Sequence, residues 1–136
     1  MYYEASVRLE RVQENGATRK VSEKYLCDAV CVSETELRVS ESLRQFVSDE
    51  FAIKAIKETK IEEVINADSD RFYSVKYGIK TIDEKTGAEK MNTIEILVGA
   101  GDFDSAHQEF IKHTQGWVSD WELLSVGLSP IVEVIK

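Results

Sequence analysis

His107 and His113 are the two histidines of this 136-residue chain, and imidazole is the side chain best suited to moving protons or holding a metal near neutral pH. Six residues on a helix turn through about 600°, so the two rings diverge by about 120° and cannot chelate one ion together. They are expected on a helix surface. Cys27 and Cys31 are the two cysteines, and their spacing lacks the second ligand pair that zinc needs. Two small, reduced side chains near a strand end are expected, without a disulfide. Asp102 and Asp104 could share a cation or act as acid and base. They stand at an expected helix start, however, where aspartate serves as a cap and meets the positive end of the helix. No G-x-S-x-G, G-x-G-x-x-G or G-x-x-x-x-G-K pattern occurs; Gly99-Ala100-Gly101 precedes a helix but lacks the rest. The residue types therefore predict no catalytic residue, no metal ligand and no cofactor.

The other chemistry available is electrostatic. Arg8, Arg19, Lys20, Lys76 and Lys80 are the candidate surface-binding residues, cations on or beside strands that could meet a partner or a single strand of nucleic acid. The formal net charge is −8. The first 66 residues carry ten Lys/Arg against thirteen Asp/Glu, and the remainder seven against twelve, so both halves are acidic. Phosphate neutralisation needs clustered cations, which disfavours nucleic acid. The aromatic residues fall mainly with the apolar set, which favours core packing over base stacking. The longest apolar run is interrupted by Glu95 and too short to span a bilayer, so no membrane partner is expected. The opening MYYEASVRLE lacks the apolar segment of a signal peptide, which leaves a cytoplasmic protein as the expectation.

The elements that position these residues follow from periodicity. From Tyr3 to Val12, Tyr3, Ala5, Val7 and Leu9 alternate with Glu4, Ser6, Arg8 and Glu10, which predicts a half-buried strand. Asn15-Gly16 predicts a tight turn, and RKVSEKYLCDA the returning strand of a hairpin. Ser33 and Glu36 have capping-box spacing and predict a helix to about Val47, with Leu37, Val39, Leu43, Phe46 and Val47 as its apolar set. FAIKAIKE from Phe51 reads as a strand. Lys60 to Asn66 reads as a short strand or a turn of helix.

The second half repeats this order. Tyr73, Val75, Tyr77 and Ile79 alternate with Ser74, Lys76, Gly78 and Lys80; Gly87-Ala88 matches Gly16-Ala17 in a hairpin one residue longer. Asn92 to Ala100 returns, Asp104 is the expected cap of a helix to about Thr114, and Trp121 to Leu128 is a strand. Val118-Ser119-Asp120 matches Val47-Ser48-Asp49, and Glu133-Val134-Ile135 matches Glu63-Val64-Ile65. The matches run at offsets of 70 and 71 and predict an internal duplication within one domain, residues 1–136, with repeats over 3–65 and 73–135. The fold class expected is α+β: a duplicated β-β-α-β unit forming an antiparallel or mixed sheet. Two helices would pack on one face, around one core with a pseudo-twofold axis, leaving the other face polar.

The segment YLCDAVCVSETELRV, preceded by ENGATRKVSEKY, resembles an uncharacterised domain-of-unknown-function family of Bacteroidetes bacteria and crAss-like phages. DEKTGAEK, the L-V-x-A-x-D-F-D pattern from Leu97 and the closing SPIVEVI fit it as well, so the resemblance covers nearly the whole chain. Thr35 departs from it, standing where the family prefers alanine; Ala106 keeps the alanine in the second copy. The resemblance implies no activity, and a mobile-element setting would favour a DNA-replication accessory role. The function expected is a non-enzymatic protein-binding or assembly module that self-associates, with another protein as the other class of partner. The alternative is a single-stranded nucleic-acid accessory protein.

Overall fold

The computed structural model describes residues 1–46, 51–118 and 120–135. Ten elements follow in chain order: β1 (Tyr2–Val12), β2 (Thr18–Asp28), α1 (Val32–Phe46), β3 (Ala52–Glu58), β4 (Ile61–Ile65), β5 (Phe72–Ile82), β6 (Glu89–Gly99), α2 (Phe103–His113), β7 (Trp121–Leu128) and β8 (Ile131–Ile135). The α+β class and the mixed strand pairing agree with the sequence. Lys60 to Asn66, read ambiguously from its pattern, contains the strand β4.

The strands form two four-stranded sheets, ordered β3-β1-β2-β8 and β4-β6-β5-β7, rather than the single sheet expected. Within each, β8 on β2 and β4 on β6 are parallel; all other neighbours are antiparallel. A parallel strand cannot be supplied by a short hairpin. The connectors Thr59–Lys60 and Ser129–Pro130 have only two residues, and after each the chain enters the other sheet. The compact units are accordingly 1–59 with 130–136, and 60–129. The exchanged strand takes one edge position in each sheet, with β3 and β7 at the opposite edges. The apolar core is correspondingly two clusters, not one.

In the first unit Tyr3, Ala5, Val7 and Leu9 pack with Tyr25, Cys27, Val39, Leu43 and Ile135. In the second, Tyr73, Val75 and Tyr77 pack with Ile96, Val98, Ala106 and Phe110, flanked by Ile65, Trp117 and Trp121. The rings of Tyr77 and Trp117 lie 5.2 Å apart, and those of Phe110 and Trp121 5.5 Å. Tyr73 and Tyr77 are core, as their alternation predicts. On α1 the buried line is Thr35, Val39 and Leu43, spaced by four, while Leu37 is exposed because it lies about 200° around the helix from Val39. Val47, Ser48, Asp49 and Ser119, and the side chain of Phe46, lie outside the described residues. The sheet face away from the helix is not polar throughout: Leu26 and its partner Val134 are buried there, as are Phe72 and Leu97.

Pairing registers recur between the units. Tyr3 opposes Cys27 as Tyr73 opposes Val98, and Glu10 opposes Lys20 as Lys80 opposes Met91. Both edge pairings carry a bulge at the same step, between Ser6 and Val7 and between Lys76 and Tyr77. The hairpin turns use Gly16 and Gly87 at positive φ (81° and 70°).

The seat of β4 on β6 is tight. Asn66, at φ 57°, donates from Nδ2 to the Gly99 carbonyl at 3.2 Å. A Cβ at Gly99 would collide with the Asn66 carbonyl oxygen and stand 2.6 Å from Ser69 Cβ. Gly99→Ala is therefore expected to destabilise by about 1–3 kcal/mol in urea denaturation, since a backbone atom must move. Gly127→Ala, with nothing within 4 Å of the new methyl, is the control and should leave the midpoint nearly unchanged.

Candidate functional site

The hairpin β1–β2 and the edge strand β3 carry most cations of the first unit, and their pairing sorts them. Glu4 holds Lys24 at 3.2 Å and Lys57 at 3.7 Å. On the helix-facing side Glu23 receives a fork from Arg11, Nε at 3.0 Å and Nη2 at 2.8 Å, and accepts from the Tyr25 hydroxyl at 2.7 Å. The guanidinium bonds hold Glu23 below the usual carboxylate range. Burial, then the bond to Glu23, pushes the Tyr25 phenol well above its ordinary value, so it stays protonated. This triad is a closed, neutralised structural network.

The remaining strand cations are arranged differently. Arg8, Lys20 and Lys54 line an open cavity of about 470 Å³ with Leu9, Glu10, Phe51 and Ala52. Alternation puts Arg8 and Glu10 on one face of β1, Lys20 opposes Glu10 on β2, and Lys54 is the extra residue of the β3 bulge. Of the five candidate surface-binding residues, the structure brings Arg8 and Lys20 into this cavity. Arg19 follows the opposite face of β2, and Lys76 and Lys80 belong to the second sheet, where Lys76 opposes Glu95. Sequence reasoning missed Lys54 and Phe51. Its available signal was the spacing of Phe51, Ile53 and Ile56: all three pack on one core, and the step of three is what a bulge leaves in an alternating strand.

The expected helix caps are corrected. α2 begins at Phe103 and its cap is Asp102, not Asp104; Asp102 Oδ1 accepts from the Ser105 amide at 2.7 Å. That bond to the Ser105 amide holds the Asp102 carboxyl below the ordinary carboxylate range. α1 begins at Val32, two residues too early for the Ser33–Glu36 box. Glu34 takes over the role, accepting from the Val30 amide at 3.2 Å while pairing with Arg38 at 2.8 Å. Thr35 is buried without becoming a polar orphan because its hydroxyl donates to the Cys31 carbonyl at 3.0 Å. Cys27 is buried and Cys31 exposed, both free, and burial pushes the Cys27 thiol up, away from nucleophilic character. His113 is half-buried rather than a plain surface residue: its Nε2 lies 3.0 Å from Glu63 on β4, and its ring meets Trp117 edge-on. Among the described residues no three His, Cys, Asp or Glu side chains converge on a metal position, and no helix is long and apolar enough to cross a membrane.

The chain matches, over residues 1–136, the family described as Domain of unknown function (DUF4494), and it belongs to that family. No curated protein and no solved structure matches it.

The cap assignment is testable by substitution. Asp102→Ala should lower the melting temperature by a few degrees, and Asp102→Ser by less, because the capping oxygen remains. Asp104→Ala should change it little. Since folding depresses the Asp102 value, its contribution is present above the unfolded carboxylate value of about 3.9 and is lost as pH falls through the folded one. The difference in melting temperature between wild type and Asp102→Ala should therefore shrink in acid.

Proposed function

Proceeding from a family membership that carries no activity, we propose that this protein is a non-enzymatic assembly module that pairs with a second copy of itself along β7. The observation that carries this is the contrast between two edge strands of matching register. β3 bears Lys54 and Lys57, the charges with which natural edge strands block pairing. β7 reads WELLSVGL, with no lysine and no proline, and exposes Leu124 and Leu128. Two such strands pairing antiparallel would satisfy each other's open amides and carbonyls about a twofold axis. A non-enzymatic reading is supported by the polar clusters, which are neutralised, as in Arg11–Glu23–Tyr25, or serve helix ends, as do Asp102 and Glu34.

The same reading takes the two halves as an internal duplication, supported by pairing registers and bulges that recur at offsets of 70 and 71. It includes a cytoplasmic setting and a family reach into Bacteroidetes bacteria and crAss-like phages. Single-stranded nucleic acid is the second reading, favoured by the cavity cations but opposed by the acidic balance and by the placement of Arg19, Lys76 and Lys80 away from that cavity.

Sedimentation velocity should detect a dimer of the wild type. Leu124→Lys combined with Leu128→Lys should weaken it by about tenfold or more without lowering the melting temperature. A wild type that stays monomeric at every accessible concentration would sink the proposal. In anisotropy titrations no binding to single-stranded DNA is expected at physiological salt. Binding at about micromolar strength or tighter that falls steeply with added salt would promote the second reading.

A further inference from the structure

Among the described residues, Arg8, Lys20 and Lys54 make no ion pair, whereas Arg11, Lys24 and Lys57 of the same sheet are each held by a carboxylate. Arg19 of β2 is also without an ion pair among these residues, and the other three unpaired cations of the sheet share the cavity. Like charges gathered around one recess repel, and in the interior of a solvated recess that repulsion is only partly screened. A bound anion would relieve it.

The topology does not by itself produce this recess. In the second sheet the positions of the same register are Gly78 for Arg8, Met91 for Lys20 and Leu124 for Lys54. There the Met91 side chain lies directly over Gly78: a Cβ on Gly78 would stand 2.5 Å from Met91 Sδ and 3.6 Å from Leu124 Cδ1. One sheet thus covers this place with apolar side chains, and the other keeps it open and ringed with cations.

We propose that the cavity of the first sheet binds a small phosphorylated ligand carrying a planar ring, of the size of a nucleoside diphosphate. A volume of about 470 Å³ is of the right order for such a molecule. The Arg8 guanidinium offers a planar fork to a phosphate, and the Lys20 and Lys54 ammonium groups add point charges from the flanking strands. Half-buried Phe51, the aromatic residue of the lining, supplies an apolar wall for the ring. Glu10, the one carboxylate in the lining, accepts from a ligand hydroxyl or amine rather than from phosphate.

Calorimetric titration of the full chain with ADP, inorganic pyrophosphate, adenosine and a short oligothymidylate tests this. ADP should bind below about 1 mM, pyrophosphate more weakly and adenosine not measurably. Lys20→Met and Lys54→Leu, the residues of the second sheet, should each weaken ADP binding by about tenfold or more, and Arg8→Lys should weaken it by removing the fork. Lys76→Ala should leave it unchanged. Lys54→Gln replaces Lys54→Leu if the latter lowers the melting temperature. Absence of ADP binding up to about 1 mM would overturn the proposal, as would ADP affinity indifferent to these substitutions. Pyrophosphate binding as tightly as ADP would overturn the role of the ring. Oligothymidylate binding more tightly than ADP, with the same loss in the variants, would overturn it in favour of a nucleic-acid surface.

Discussion

Everything in this molecule depends on two connectors of two residues each. Thr59–Lys60 and Ser129–Pro130 are too short to return a strand parallel to its own sheet, so β4 and β8 each complete the sheet built by the other half of the chain. The first residue of each connector is pinned. Thr59 donates its amide and its hydroxyl to the Tyr2 carbonyl at 2.9 and 2.8 Å, and Ser129 donates its amide to the Phe72 carbonyl at 2.9 Å. Each core consequently contains an isoleucine from the other half, Ile135 in the first and Ile65 in the second. Neither half of the chain holds a full set of strands and core residues by itself.

On this shared pattern of pairing the two units carry different surfaces. Side chains that decide burial are kept in type: Tyr3 and Tyr73, Leu26 and Leu97, Ala29 and Ala100 are buried at matching positions. Those on the outer face diverge from cationic to apolar, from Arg8, Lys20 and Lys54 to Gly78, Met91 and Leu124. Packing tolerates little change in volume, while a solvated face tolerates change of charge, so the differences between the units collect on the face away from the helix.

How far the sequence was legible varies by residue. Alternation located β1, β2, β5 and β6, and the boundaries of β7 were read as they stand. The helix starts were read two residues late, because Ser33 and Asp104 are good capping types close to the positions that cap. Local preference cannot separate Asp102 from Asp104; only the direction of the Ser105 amide does. The cavity was half legible: Arg8 and Lys20 were candidates, but Lys54 enters it only because the bulge turns it outward.

The sequence by itself determined the kinds and order of elements and the face of the hairpin strands that meets the helix. These follow from local periodicity and turn chemistry, which act over a few residues. The tertiary structure decided which strands pair. The partners of β4 and β8 lie about thirty and more than a hundred residues away in the chain, and a short apolar strand pairs as readily with one edge as another until packing selects. It also decided that there are two sheets, that Leu26 and Leu97 are buried on a face read as polar, and that three cations surround one recess. Those outcomes depend on pairing between distant segments, and no pattern within a single segment contains them.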